Sequence, residues 1–131
     1  MLITSPEAMH ELGKSLAKDH KILLLQGDLG SGKTTLAKGF AEGLGIDSKH
    51  VQSPTYTYLN VYNNKLLHID MRRINEHKEL VEKGILDQIH QYEYILIERP
   101  KHTQHLGLAK ATIVDIKKTS PTTREVNIIK N

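Results

Sequence analysis

Residues 27–35 read GDLGSGKTT, and no other stretch restricts the fold of this chain so sharply. Gly27, Gly30, Gly32, Lys33 and Thr34 fall at the spacing of a phosphate-binding P-loop, where glycines let successive backbone N–H groups converge on phosphate oxygens. Such a loop works between a strand that delivers it and a helix whose free N–H groups and positive dipole end face the anion. Both neighbours are legible. Residues 21–26 (KILLLQ) form a short apolar run suited to a buried strand, and residues 34–44 carry Leu36, Ala37, Phe40, Ala41 and Leu44 at helical spacing. The motif and its context predict a site for a nucleoside triphosphate. Its contacts come from Gly27, Asp28, Leu29, Gly30, Ser31, Gly32, Lys33, Thr34 and Thr35, with Lys33 on the outer phosphates and the Thr34 hydroxyl on a magnesium ion.

At 131 residues the chain is expected to form one domain, residues 1–131, with a single core. No run of eighteen apolar residues and no charged-then-apolar leader is present, which predicts a cytoplasmic protein without membrane insertion. Cysteine is absent, which excludes disulfides and thiolate metal sites. The formal charge of +3 is unevenly spread: residues 1–98 hold eleven Lys and Arg against thirteen Asp and Glu, while residues 99–131 hold seven against two. The basic excess is therefore C-terminal. It reads as a solvated strand face and tail, or as a contact with RNA or an acidic partner, although no aromatic residue lies there to stack bases.

Ser5-Pro6-Glu7 predicts a helix start, and the helix is expected to run to about residue 19 with Ala8, Met9, Leu12, Leu16 and Ala17 on its packed face. Residues 47–54 read as loop. Residues 56–62 and 65–70 read as two strands joined by Asn63-Asn64, a pair that tolerates the left-handed backbone of a tight hairpin. Tyr56, Tyr58 and Tyr62, two apart or a multiple of two, are expected on one strand face. A short helix over residues 76–83 closed by Gly84, then strands over 94–98, 108–117 and 125–130, complete the pattern. His68 reads as packed or solvent-facing, and His102 and His105 lack a carboxylate or thiol partner that would suggest a metal.

Hydrolysis needs more than a phosphate cradle: a metal must be held and the attacking water positioned. Asp70 ends the run LLHID and Glu98 ends YILIE, and ligands of α/β sheets lie at the carboxyl ends of the strands. Glu98 and Asp70 are the candidate catalytic and metal-binding acids, and either can hold the ion while the other acts through water. Thr55, in the segment SPTYT, is placed where a nucleotide-sensing loop would let its hydroxyl reach the metal or the terminal phosphate.

Taken in order, GDLGSGKTT, SPTYT, HIDMRR and the glutamate of LIERP resemble the TsaE family, formerly YjeE, over about residues 4–100. The resemblance implies an α/β P-loop NTPase fold of three layers, its mostly parallel central sheet extended by antiparallel strands. It implies an ATPase using ATP and Mg2+ as partner of a TsaD–TsaB pair, in which TsaD places threonylcarbamoyl on adenine 37 of tRNA. Transfer RNA is then met through the complex. Lys33, Thr34, Thr55, Asp70 and Glu98 match the family's site residues, and the segment beginning at Thr4 is implied to lie near the adenine. Where the family commonly has Tyr, Trp and an acid, this chain has Arg72, Arg99 and Lys101, which turns an aromatic and acidic corner into a basic one. Two other functions fit the bare motif: a small-molecule kinase, recognised by a phosphorylated product, and a nucleotide-gated RNA-binding protein, recognised by salt-sensitive tRNA binding.

Overall fold

The computed structural model describes residues 1–28, 30–52 and 58–130. Among these, one sheet runs in the order β1 (Leu2–Ile3), β7 (Arg124–Lys130), β6 (Ala111–Lys118), β2 (Ile22–Gln26), β5 (Tyr94–Glu98), β4 (Leu66–Asp70) and β3 (Leu59–Tyr62). The four strands β6, β2, β5 and β4 are parallel, while β7 and β1 on one side and β3 on the other are added antiparallel. The parallel core follows from composition. ILLLQ, LLHID and YILIE are apolar on both faces, as strands covered from two sides must be.

Helices α1 (Pro6–Leu16) and α2 (Lys33–Gly43) cover one face, packing on Leu23, Leu25, Leu66 and Leu96. The opposite face is covered by α3 (Glu79–Glu82) and α4 (Ile85–Ile89), against Leu24, Leu67, Ile69, Ile95 and Ile97. This is the expected three-layer α/β arrangement. Among the described residues no helix is long and apolar enough to cross a membrane.

Local chemistry accounts for most boundaries. Ser5 accepts the Ala8 N–H at 3.1 Å and caps α1. The helix stops at Leu16, short of the expected residue 19, because i→i+3 bonds from Lys18 and Asp19 tighten the chain into a turn. Asn63 and Asn64 adopt φ of 52° and 51°, the left-handed pair that a two-residue hairpin requires. The helix expected over residues 76–83 begins later, at Glu79, whose carboxylate accepts the N–H groups of Asn75 and Glu76. Gly84 then turns the chain left-handed and α4 follows, an element too short for its periodicity to be recognised. The three tyrosines do not share a face. Tyr56 lies outside the described residues, and Tyr58, at φ 50°, breaks the alternation and packs with the α3/α4 layer while Tyr62 packs with the α1/α2 layer.

Where α1 crosses α2 the two backbones touch. A Cβ built on Gly13 would lie 2.1 Å from the Leu36 carbonyl oxygen, and one on Gly39 would lie 2.0 Å from that of His10. The obstacle is main chain, which has no rotamer to change. Gly39→Ala is therefore expected to force the helices apart and destabilise the fold by about 1–3 kcal/mol, read as a lower urea midpoint with an unchanged slope.

Candidate functional site

The P-loop lies between β2 and α2, where the sequence placed it. Gly27 has φ 157°, and a Cβ there would stand 2.6 Å from Ser31 Oγ and 2.7 Å from the Ile116 carbonyl oxygen, so the loop closes only around a glycine. Lys33 opens α2 but its side chain folds back, with Nζ donating to the carbonyls of Gly27 and Asp28, at 2.5 and 2.8 Å. Burial pushes the Lys33 ammonium pKa down and the charge of Arg99 adds to this, while Glu98, Asp70 and Asp28 pull it up. Leu29 lies outside the described residues, as does Thr55 with the rest of 53–57.

The two acids arrive by strand register: β4 and β5 pair so that Asp70 stands opposite Glu98. Both are buried, and each has a cationic or imidazole neighbour. Asp70 Oδ2 accepts from Arg99 Nη1 at 2.9 Å and its Oδ1 from the Arg72 N–H at 2.8 Å. Glu98, 1% exposed, has its Oε2 at 2.6 Å from Nε2 of His68, which is fully buried. Beyond it, Nδ1 of His68 is 3.0 Å from the Tyr62 hydroxyl, which donates to the Gln52 carbonyl at 2.9 Å. A buried polar line thus joins the residue just before the 53–57 segment to the strand-ending glutamate. His68 was read from sequence only as packed or exposed. Its signal was present as a polar residue inside an otherwise apolar strand, where burial demands a partner.

A cavity of about 640 Å³ gathers most of the expected site. The P-loop lines it with Gly30, Ser31, Gly32, Lys33, Thr34 and Thr35, the β5 end adds Glu98 and Arg99, and Thr4 lines the side formed by the start of α1. Asp70 does not line it; its carboxylate stands behind Arg99, which does. Gly27 and Asp28 face a neighbouring depression with Arg72, Arg99, Lys117 and Lys118. Magnesium needs few protein ligands, since phosphates and water complete its octahedron. The Thr34 hydroxyl and the Glu98 carboxylate, both on the cavity with Lys33, fit that oxygen-donor requirement.

Two of the three basic residues of this corner are tied into the molecule, while Arg72 is exposed. Arg99, at φ 52°, turns its guanidinium onto Asp70. Lys101 Nζ donates to the carbonyls of Arg72 and Ile74, both at 2.9 Å, and fixes the turn after β4. Arg124, which the sequence marked only as one of the C-terminal charges, reaches the P-loop: its Nε donates to the Ser31 carbonyl at 2.9 Å. Part of the C-terminal charge excess is therefore structural, although Lys117 and Lys118 remain exposed.

Comparison with known proteins bears on this geometry. A family model described as "Threonylcarbamoyl adenosine biosynthesis protein TsaE" matches residues 3–126. A tRNA threonylcarbamoyladenosine biosynthesis protein TsaE of Bacillus subtilis is 41% identical over 95 residues, 70% of this chain and 58% of that protein. Its namesake from Borreliella burgdorferi is 42% identical over 85 residues, 62% of this chain and 61% of that protein. The chain thus matches about three-fifths of the length of these relatives. The crystal structure of Bacillus subtilis YdiB superposes with a TM-score of 0.71 at 28% identity, covering 99% of this chain and 82% of that one.

Proposed function

The chain belongs to the TsaE family of tRNA threonylcarbamoyladenosine biosynthesis proteins, and from that premise we propose that it is a Mg-dependent ATPase supporting a TsaD–TsaB transferase. One observation carries the reading: Thr4, Lys33 with Thr34, and Glu98, drawn from three separate stretches of sequence, meet on one cavity at the carboxyl end of the parallel strands. That is where α/β sheets bind nucleotides.

In this reading Lys33 exchanges the carbonyls of Gly27 and Asp28 for the outer phosphates, and the N-terminus of α2 faces them. Thr34 and Glu98 would hold magnesium, which when bound neutralises phosphate charge. Glu98 positions the attacking water, and His68 fixes the rotamer from which it does so. Asp70 acts on the phosphates through Arg99, whose guanidinium it holds at the cavity. Thr55, on the sequence motif alone, would bring its hydroxyl to the metal or the terminal phosphate. The 131 residues act as one cytoplasmic ATPase unit that meets tRNA through its partners.

The test is ATP hydrolysis by the chain alone, then with TsaD, TsaB and tRNA. Binding of Mg-ATP with slow turnover alone is expected, rising by about 1,000-fold or more when partners complete the site, the range over which supplied groups stimulate such enzymes. Equal and rapid hydrolysis with and without partners would contradict the reading, and a phosphorylated metabolite would replace it with a kinase.

A further inference from the structure

The hairpin of β3 and β4 turns polar groups toward the α1/α2 layer. Tyr62, Leu66 and Leu96 pack in that layer, and a period of two carries His68 to the side of Leu66 and Glu98 to that of Leu96. Three polar side chains are thus buried on one side of the sheet, where each needs partners inside the protein. They find them in one another.

The line they form starts at main chain. The Tyr62 hydroxyl accepts the Gln52 N–H at 3.2 Å and donates to the Gln52 carbonyl at 2.9 Å, so one side chain holds both backbone groups of one residue. It also stands 3.0 Å from Nδ1 of His68, whose Nε2 is 2.6 Å from Glu98 Oε2. An imidazole bonded through both nitrogens cannot turn without breaking one of the bonds, so the hydroxyl fixes the ring and the ring fixes the carboxylate. Burial pushes the Tyr62 phenol pKa up, which keeps its proton in place. Gln52 is followed directly by SPTYT, the motif that carries Thr55. Tyr62 and His68 do not line the cavity of the P-loop, so their effect on it passes through Glu98, which does.

We propose that Tyr62 is a positioning residue for hydrolysis: acting through His68, its hydroxyl sets the orientation of the Glu98 carboxylate and ties it to the backbone at Gln52. The inference rests on the reading of Glu98 as the acid that positions water. It adds a residue that touches neither nucleotide nor water.

Hydrolysis by the partner-stimulated complex, measured beside calorimetric Mg-ATP affinity of the full chain, tests it. Tyr62→Phe keeps the ring and removes the hydroxyl. Its kcat is expected to fall about 10- to 100-fold, the cost of a small misplacement at a reacting centre, while Mg-ATP affinity stays within about twofold of native. In His68→Gln the amide nitrogen replaces Nε2 and nothing replaces Nδ1, so kcat is expected to fall as far, and adding Tyr62→Phe to it to cost nothing more. In Glu98→Gln, too, Tyr62→Phe is expected to have no further effect, because the group it acts through has lost its charge. A native kcat in Tyr62→Phe beside a slow Glu98→Gln overturns the inference. So does a full additional loss in either double variant, or a loss of Mg-ATP affinity as large as the loss of rate. If Tyr62→Phe does not fold, His68→Gln decides, native kcat in it overturning the inference. A native rate in Glu98→Gln overturns the reading of Glu98 instead.

Discussion

Lys33→Ala is expected to lower affinity for Mg-ATP by about 100-fold or more while leaving the chain folded, as measured by calorimetry beside circular dichroism. The magnitude follows from what the side chain does with and without a ligand. Without one, Lys33 is 4% exposed with its ammonium among the carbonyls of Gly27 and Asp28, and burial and Arg99 together hold its pKa down. Its charge is thus poorly compensated by the loop itself. Phosphate oxygens supply the missing negative charge, so binding gains the attraction and also relieves the existing strain on the ion. Truncating one partner of a buried, hydrogen-bonded charge pair costs about 2–5 kcal/mol in binding, which is the basis of the expected loss. The fold should tolerate the change, because alanine suits the first turn of a helix and the loop carbonyls lose only one shared donor. Wild-type affinity in Lys33→Ala would place the triphosphate elsewhere.

The second large effect separates chemistry from binding at Glu98. Glu98→Gln keeps the shape of the side chain and a hydrogen-bonding partner for His68, but removes the charge. Turnover in the partner-stimulated complex is expected to fall by about 100- to 10,000-fold, the usual range for a positioned acid or base. ATP affinity is expected to change much less, as Lys33 and the P-loop provide most of it. His68→Leu is the complementary variant. It leaves Glu98 buried with no partner at Oε2, and removing one member of such a pair costs about 3–5 kcal/mol of stability. Loss of hydrolysis in Glu98→Gln without loss of stability, and loss of stability in His68→Leu, together assign the two roles. Normal hydrolysis by Glu98→Gln would move water activation to Asp70.

How much of this was legible beforehand depended on how local each signal was. Residues 27–35 carried their own turn chemistry, and KILLLQ and YILIE carried the length and composition of buried parallel strands, so the loop between β2 and α2 and the sheet core could be read directly. Asp70 and Glu98 could be placed because strand ends are where ligands lie. Their separate environments could not be, since a carboxylate's partner depends on strand register, and only pairing β4 with β5 brings His68 to Glu98 and Arg99 to Asp70. Strand β1 is two residues long and exists because β7 offers an edge, so no local pattern could announce it. Arg124 is the extreme case. It lies 93 residues from Ser31, whose carbonyl it holds, and in sequence it is indistinguishable from a surface charge.

The crossing at Gly13 and Gly39 has a mechanical consequence. Most helix pairs meet through side chains, which can change rotamer and absorb a small displacement. Here carbonyl and α-carbon are in direct contact, so α1 and α2 transmit motion without slack. The outer surface of α1, where Glu7, Glu11 and Lys14 are exposed, thus belongs to the same rigid piece as Gly32 and Lys33 at the start of α2.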